Sequence, residues 1–145
     1  MKFNLEETVT GADLRNNASL LVFAREKLRE ILLLLETQNV APDAFVVDRE
    51  RVTMAVFFPD GTPPSETWST HQVLAEDGYF RLTLQGHRLT EGKGLAALWD
   101  SVLADENIPL RLSCSDCGGV VQYLPDAARD TVLQLLNRTF GIRGV

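Results

Sequence analysis

Apolar residues recur with the period of a strand or of a helix along most of the chain, and the two periods alternate. The segment "ASLLVF" predicts a short buried strand, and the apolar residues after it keep helical spacing until shortly before Pro42. Two further strands are predicted at "AFVV" and "VTMAVFF", joined by the charged turn "DRER". Ser65 is then expected to cap a short helix that contains Trp68 and Leu74.

The second half of the chain repeats this order. "YFRLTL" predicts a strand, and a helix is predicted after the following glycine-bearing loop, ending before Pro109. Two strands are expected at "LRLSC" and "GVVQYL", around the turn "SDCGG". Asp126 is the expected N-cap of a last helix, and Gly141 is its expected C′ residue. The inward residues of that helix are predicted to be Val132, Leu135, Leu136 and Phe140.

The repeat is most visible in "LLLLETQNVAPDAFV" and "SVLADENIPLRLSCS", where a helix end, a polar tripeptide and a β-branched residue precede a strand. We therefore predict an α+β fold of two ferredoxin-like βαββαβ units, each with a four-stranded antiparallel sheet and helices on one face. The units are assigned to residues 1–77 and 78–145, and terminal strands are allowed to be exchanged between them. Open sheet edges and the extra leucines Leu33 and Leu34 predict a homodimer or a larger even-numbered assembly.

Composition narrows the class of protein. The chain has 145 residues, 45% of them apolar, and a net charge of −6, which disfavours binding to nucleic acid. No apolar run is long enough for a membrane span, and the N-terminus lacks the apolar region of a secretory signal. With only two cysteines, a reducing cytoplasm is the expected location.

The stretch "LQGHRLTEGKGLAALWD" resembles a phosphate-binding loop but has the wrong spacing. Five residues separate Gly86 from Gly92, where that loop has four, and Gly94 follows Lys93 where a Ser or Thr is needed. Nucleotide hydrolysis is therefore not expected. Such a loop can offer backbone N–H groups to a carboxylate, or it can be only a tight connection, and the sequence leaves both open.

The two cysteines, Cys114 and Cys117, form a CxxC pair. A zinc site needs four ligands, and no second CxxC is present; His71 and His87 are isolated. The pair lies in a predicted hairpin turn rather than at a helix N-terminus, so that structural cysteines are favoured over a redox dithiol or a metal shared between subunits. No catalytic constellation is found, and we expect a protein that is not an enzyme and has no cofactor or metal.

The chain resembles the regulatory region of aspartokinases, a pair of ACT domains. The resemblance rests on "VTGADLRNNASLLVF", similar to the entry segment and first strand of the family, and on "LTLQGHRLTEGKGLAALWDSVLADENIPLRLSCSDCGGVVQYLPDAARDTVLQLLNRTFGI", similar to the second ACT domain. Within it, five positions match the family pattern: Gly86, Gly94, Ala96, Ala97 and Leu103.

The resemblance implies a regulatory protein that binds an amino acid and acts on a kinase or other enzyme subunit. The α-carboxylate is then expected to meet the loop before the second-half helix, with the next strand start as the other wall. These residues are Leu89, Thr90, Gly92, Lys93, Gly94, Pro109 and Leu110. In the first half, "FAREKLRE" lacks the Pro-Gly of the family, which predicts a closed or lost pocket. The alternatives are an interaction scaffold with degenerate pockets and, more weakly, a redox protein using the CxxC.

Overall fold

A computed structural model describes residues 9–86, 93–116 and 119–143. In these residues it has six strands, four α-helices and two 3₁₀ turns, at Arg25–Lys27 and Asp126–Ala128. In chain order the strands and helices are β1 (Val9–Ala24), α1 (Leu28–Thr37), β2 (Ala44–Val47), β3 (Arg51–Val56), α2 (Ser65–Ser69), β4 (Leu74–Gly86), α3 (Lys93–Asp105), β5 (Leu112–Asp116), β6 (Gly119–Pro125) and α4 (Arg129–Phe140).

The chain divides into two compact units, which we name the middle unit (Asn17–Tyr79) and the terminal unit (Met1–Asn16 with Phe80–Val145). The strand order is β2-β3-β1-β4-β6-β5. The middle unit has the βαββαβ order, with sheet order β2-β3-β1-β4, and the terminal unit has β1-β4-β6-β5. The predicted α+β fold of ferredoxin-like units is confirmed, whereas the division at residue 77 stays a prediction.

Two four-stranded units predict eight strands, whereas the described residues form six. Two long strands account for the difference. β1 has 16 residues and β4 has 13, and each contributes to both units. A left-handed residue interrupts each strand close to the boundary of the units: Asn17 has φ 65° and Gly78 has φ 83°. Such residues typically mark β-bulges, which bend a strand locally. The short strand predicted at "ASLLVF" is therefore the second half of a longer one.

The core of the middle unit forms where alternate strand residues meet the two helices. Leu21 lies opposite Met54 in the antiparallel β1–β3 pair, and both side chains are fully buried. They pack with Ile31 of α1 and Trp68 of α2, and the ring of Trp68 lies 5.7 Å from that of Phe58. Each fully buried side chain of this size contributes about 1.5–3 kcal/mol.

The terminal unit has a core of its own, built on one face of β4 and β6. The four residues predicted to face inward from α4 are all buried, so that this prediction is confirmed. The ring of Trp99 in α3 lies 5.3 Å from that of Phe140 in α4. Val9 of β1 is 1% exposed and belongs to the same core.

Three of the helices end in the same way. Asn39, Gln72 and Asn107 have positive φ angles and follow α1, α2 and α3. In each case the left-handed residue donates its N–H to the carbonyl three residues back, and the next residue donates to the carbonyl five residues back. This is the Schellman motif, and the apolar residues after the three turns, Val40, Val73 and Ile108, are all buried. Gly141, with φ 70°, follows the last residue of α4, as predicted.

Two predicted helix starts are wrong. Pro64 and Ala128 are the N-caps of α2 and α4, and neither helix has a side-chain cap. Asp126 lies in a 3₁₀ turn directly after β6, so that α4 begins two residues later than expected. Leu74 begins β4 instead of lying in α2, because the left-handed turn at Gln72 ends that helix first.

None of the helices in the described part of the chain is both long and apolar enough to cross a membrane.

Candidate functional site

The predicted amino-acid site surrounds the connection from β4 to α3. Gly86 ends the strand, and Lys93 and Gly94 are the first two residues of the helix. Leu89, Thr90 and Gly92 lie outside the described residues. Pro109 is exposed, and Leu110 is half-buried against the core of the terminal unit. Whether these residues form one site stays a prediction.

The middle unit has a surface cavity at the corresponding connection, between β1 and α1; it is open to solvent, and its charged lining residues are exposed. Its volume is about 540 Å³, and it is lined by Ala24, Arg25, Glu26, Arg49 and Glu50. The first three residues belong to the strand end and the 3₁₀ turn before α1, and the other two to the β2–β3 turn. We name this the hairpin cavity. A neighbouring cavity of about 500 Å³ is lined by the turn residues from Asp48 to Arg51.

Backbone hydrogen bonds fix the shape of the hairpin cavity. The N–H of Arg25 donates to the carbonyl of Glu50 at 2.9 Å, which ties the strand-to-helix connection to the hairpin turn. The N–H of Asp48 donates to the carbonyl of Arg51 at 2.9 Å, which closes the turn. The cavity walls are therefore held at both ends of the turn.

Asp48 adds a side-chain anchor to this turn. Its Oδ1 atom accepts hydrogen bonds from the N–H of Arg51 at 2.7 Å and from the N–H of Glu50 at 2.8 Å. These two bonds, that of Arg51 first, lower the pKa of the Asp48 carboxyl below its ordinary value, although the group is fully exposed. The turn is an Asx-type turn, in which the ionised carboxylate is a stronger acceptor for the two bonds than a neutral amide oxygen.

The charges around the hairpin cavity are balanced. Two guanidinium groups, of Arg25 and Arg49, and two carboxylates, of Glu26 and Glu50, line it. Guanidinium groups bind carboxylates through paired hydrogen bonds, and carboxylates accept from ammonium groups. A small zwitterion, which carries both kinds of group, matches this lining.

None of these four charged residues is among the site residues predicted from the sequence. There, "DRER" is predicted to be a hairpin turn, and the first-half pocket is predicted to be closed or lost. The internal repeat was the available signal, because the glycine loop before α3 and the segment before α1 occupy equivalent places in the repeated order. The segment before α1 that corresponds to the glycine loop contains Arg25 and Glu26, so the repeat predicts these two as site residues.

A buried polar network holds α3 against the sheet of the terminal unit. Nε1 of Trp99 donates to Oε1 of Gln122 at 2.9 Å, and Nε2 of Gln122 donates to Oδ1 of Asp100 at 2.8 Å. Gln122 is completely buried in β6. Because the helix that begins at the predicted site carries two of these residues, the network fixes where that helix lies.

The cysteine pair is only partly described. Cys114 is half-buried in β5, opposite Val121 of β6, and Cys117 lies outside the described residues. The hairpin predicted around "SDCGG" is confirmed by the pairing of Asp116 with Gly119. Across residues 9–86, 93–116 and 119–143, no group of three or more His, Cys, Asp or Glu side chains is placed to hold a metal ion.

No protein-family model matches the chain, and no curated protein matches its sequence. Solved structures do match its fold. Escherichia coli aspartokinase III in complex with lysine and aspartate has a TM-score of 0.71 and 19% identity, over 96% of this chain and 34% of that one. The present chain thus spans about a third of the length of that enzyme.

Free-standing subunits match along almost their whole length. The regulatory subunit of aspartate kinase from Thermus thermophilus gives a TM-score of 0.75 at 12% identity, over 92% of this chain and 98% of that one. A structure of aspartokinase alpha and beta subunits gives 0.72 at 16% identity, over 92% and 99%. The chain therefore has the fold of aspartokinase regulatory subunits.

Proposed function

We propose that this protein is a non-catalytic regulatory protein that senses a free amino acid and acts on a kinase of the aspartokinase type carried by another polypeptide. The observation that supports this most is the hairpin cavity, with two cationic and two anionic side chains at a strand-to-helix connection. It lies on the fold of the aspartokinase regulatory subunits. The charges of this lining suit an α-amino acid, which presents one carboxylate and one ammonium group.

In this proposal Arg25 and Arg49 hold the α-carboxylate, and Glu26 or Glu50 accepts from the α-ammonium group. A second site is proposed before α3, where backbone N–H groups around Leu89, Thr90 and Gly92 to Gly94 meet a carboxylate. Pro109 and Leu110 line its other wall. The two sites are equivalent by the internal repeat, so that one chain can bind two ligand molecules.

Partners follow from the matched proteins. One is a regulatory subunit of aspartate kinase, and another structure contains aspartokinase alpha and beta subunits. We propose that the present chain acts as a homodimer and associates with a separate kinase subunit, in the cytoplasm. In this proposal, ligand binding changes the activity of the kinase partner.

A thermal-shift screen of the purified protein against the twenty amino acids tests the sensing function. A ligand present at about 100 times its Kd stabilises the fold by about 2.7 kcal/mol. Arg49→Gln is expected to weaken binding at the hairpin cavity, and Gly94→Val is expected to block the loop before α3. Arg138→Gln is the matched control, because Arg138 is 71% exposed in α4 and pairs with Glu106.

The outcomes separate the two sites from each other and from the alternative function. Loss of the shift in Arg49→Gln alone assigns the ligand to the hairpin cavity, and loss in Gly94→Val alone assigns it to the loop, provided that circular dichroism shows a folded variant. If no amino acid shifts the melting curve at millimolar concentration, sensing is refuted and the interaction scaffold becomes the better explanation.

A further inference from the structure

Two basic side chains of the middle unit approach a single carboxylate oxygen. Nζ of Lys27 lies 3.6 Å from Oε2 of Glu30, and Nδ1 of His71 lies 3.7 Å from the same atom. Lys27 and Glu30 belong to the start of α1, whereas His71 belongs to the turn after α2. Glu30 therefore joins the beginning of one helix to the end of the other.

Both contacts depend on charge, because neither distance is short enough for a hydrogen bond. The ammonium group of a lysine keeps its charge at neutral pH, whereas the imidazole of a histidine changes its charge between about pH 5 and pH 8. The attraction between His71 and Glu30 is therefore present when the imidazole is protonated and is lost when it is neutral. The side chains are 30% (Lys27), 48% (Glu30) and 31% (His71) exposed, so that solvent screens this attraction and keeps it weak.

Other charged residues near His71 in the chain do not compete for this contact. Arg29 of α1 and Glu66 of α2 are exposed, and Glu76 of β4 accepts a hydrogen bond from the hydroxyl of Tyr79 at 2.7 Å. Among the residues that the structure describes, Glu30 is the only carboxylate in ion-pair contact with the imidazole.

The start of α1 adjoins the hairpin cavity. The helix has no side-chain N-cap, so that contacts with its first turn decide how firmly its start is held. The 3₁₀ turn Arg25–Lys27 directly precedes the helix, and its first two residues line the cavity. The backbone of His71 is fixed, because its N–H donates to the carbonyl of the fully buried Trp68 at 3.0 Å. A restraint that His71 places on Glu30 therefore reaches the cavity wall from a fixed point.

We propose that His71 is a proton-sensitive anchor of the hairpin cavity, which acts through Glu30 on the 3₁₀ turn. Protonation of the imidazole ties the turn to the end of α2 and holds Arg25 and Glu26 in place. Loss of that proton leaves Glu30 with Lys27 alone, within one helical turn, and the cavity wall becomes more mobile. The effect on an amino acid rests on the proposed function: a wall that is already ordered costs less to bind to, so that affinity rises as the pH falls.

The opposite wall of the cavity keeps its charge in this pH range. Hydrogen bonds from the N–H groups of Arg51 and Glu50 lower the pKa of the Asp48 carboxyl below its ordinary value of 3.8. Asp48 is therefore ionised throughout about pH 5.5–7.5. The hydrogen bond from the N–H of Arg25 to the carbonyl of Glu50, which joins the two walls, thus reports on the side that His71 holds.

Amide exchange at Arg25 tests the anchor without any ligand. The protection factor of this amide, which corrects for the intrinsic effect of pH on exchange, is expected to be about two- to fivefold higher at about pH 5.5 than at about pH 7.5. That range corresponds to a partly exposed ion pair. His71→Gln and Glu30→Gln are each expected to remove the difference. The amide of Val40, at the other end of α1, is the internal reference and should not change.

Two matched variants control for the substitutions themselves. His87→Gln replaces the other histidine of the chain, and Glu36→Gln replaces a carboxylate in the last turn of α1. Both are expected to keep the pH dependence of the native protein. Circular dichroism verifies that each variant is folded, and if His71→Gln is not, Glu30→Gln gives the same readout.

The outcomes separate the anchor from the sensing function. Protection at Arg25 that does not change with pH, or that changes equally in His71→Gln, refutes the anchor. An equal change at Val40 also refutes it, because the change would then reflect the stability of the whole unit. These results leave the sensing function to the melting curves, whereas a protein that no amino acid stabilises can still show the anchor by amide exchange.

Discussion

Gln72 occupies a backbone conformation that suits it poorly. With φ 58°, it takes the left-handed place of the Schellman motif after α2. Asparagine tolerates this conformation better than other non-glycine residues, and asparagine fills the same place at Asn39 and Asn107. Among the three turns, the one at Gln72 therefore carries the largest backbone strain.

We expect Gln72→Gly to stabilise the protein. Relief of left-handed strain outweighs the entropy that glycine adds to the unfolded chain, for a net gain of about 0.5–1 kcal/mol and a rise in Tm of about 2–4 °C. Gln38→Gly is the matched control, because Gln38 has φ −97° and gains nothing from glycine. A loss of stability in Gln72→Gly, measured by urea denaturation, would contradict the expectation.

Gln122 is the second residue with a testable role. Gln122→Leu keeps the volume but leaves the buried Nε1 of Trp99 without its acceptor, at a cost of about 1–3 kcal/mol. Gln122→Glu keeps that acceptor but places a carboxyl beside Asp100, where burial and the neighbouring charge raise its pKa.

The Glu variant therefore has a pH dependence that the native chain lacks. A carboxyl whose folded pKa is raised stabilises below its ordinary value of about 4.3 and loses that contribution as the pH rises through the folded value. Urea midpoints of Gln122→Glu are expected to fall, relative to the native protein, between pH 4 and pH 8. Parallel curves for the two proteins would show that Gln122 is not packed against Asp100.

Among the elements, the β2–β3 hairpin depends on one side chain. Asp48→Ala removes the Oδ1 atom that accepts both hydrogen bonds of its turn and is expected to destabilise the hairpin, whereas Asp48→Asn keeps a neutral and weaker acceptor and is expected to be intermediate. Because the folded pKa of Asp48 is lowered, its contribution is present above the ordinary value of 3.8 and is lost as the pH falls through the folded value.

The measurement compares urea midpoints of the native protein and Asp48→Asn across pH 2–7, a range chosen around the ordinary aspartate pKa of about 3.9. The difference is expected to shrink as the pH falls below that value. Asp60→Asn, in the turn after β3, is the control and should show no such convergence. A constant difference at every pH would mean that the carboxylate does not hold the turn.

Periodicity predicted all six strands and the longer helices in place, because each buries one regular face. It did not predict how far β1 and β4 extend. The residues of β1 before Asn17 mix polar and apolar side chains, and their strand character comes from pairing with β4 rather than from alternation. The side-chain caps predicted at Ser65 and Asp126 are not formed, because the backbone before each helix, and not a side chain, determines where the helix begins.

The candidate site was predictable only in part. The glycines before Lys93 predicted a strand-to-helix connection, because glycine is typical of tight turns and can be recognised directly in the sequence. Arg25 and Arg49 lie 24 positions apart in the numbering, and the hydrogen bond from the N–H of Arg25 to the carbonyl of Glu50 brings their segments together. Exposed charged residues have no periodic pattern, so that their convergence on one cavity follows from strand pairing alone.

For the whole molecule, the division into units predicts which residues unfold together. Val9 is buried in the core of the terminal unit, although it stands more than seventy positions before Phe80 in the numbering. Val9→Asp buries a charge in that core and is expected to reduce amide-exchange protection in α4 and the second half of β4. The helix α1 of the middle unit should keep its protection.

Val52→Asp is the reciprocal variant, because Val52 is fully buried in the middle unit. It is expected to reduce protection in α1 and to spare α4. Hydrogen exchange followed by mass spectrometry measures both patterns. Equal loss of protection throughout the chain in both variants would show that the two units unfold as one.

The path of β1 through both units has a consequence for synthesis of the protein. Residues 9–16 leave the ribosome before the middle unit, whereas the strands and helices that they join, from Phe80 to Phe140, emerge after it. At about 5–20 residues per second, the early segment waits on the order of ten seconds for its partners. The middle unit is complete in the meantime and can fold while the ends of the chain are still apart. The middle unit can therefore fold before the terminal unit, and residues 9–16 of β1 reach their final pairing only after the residues from Phe80 to Phe140 have been synthesised.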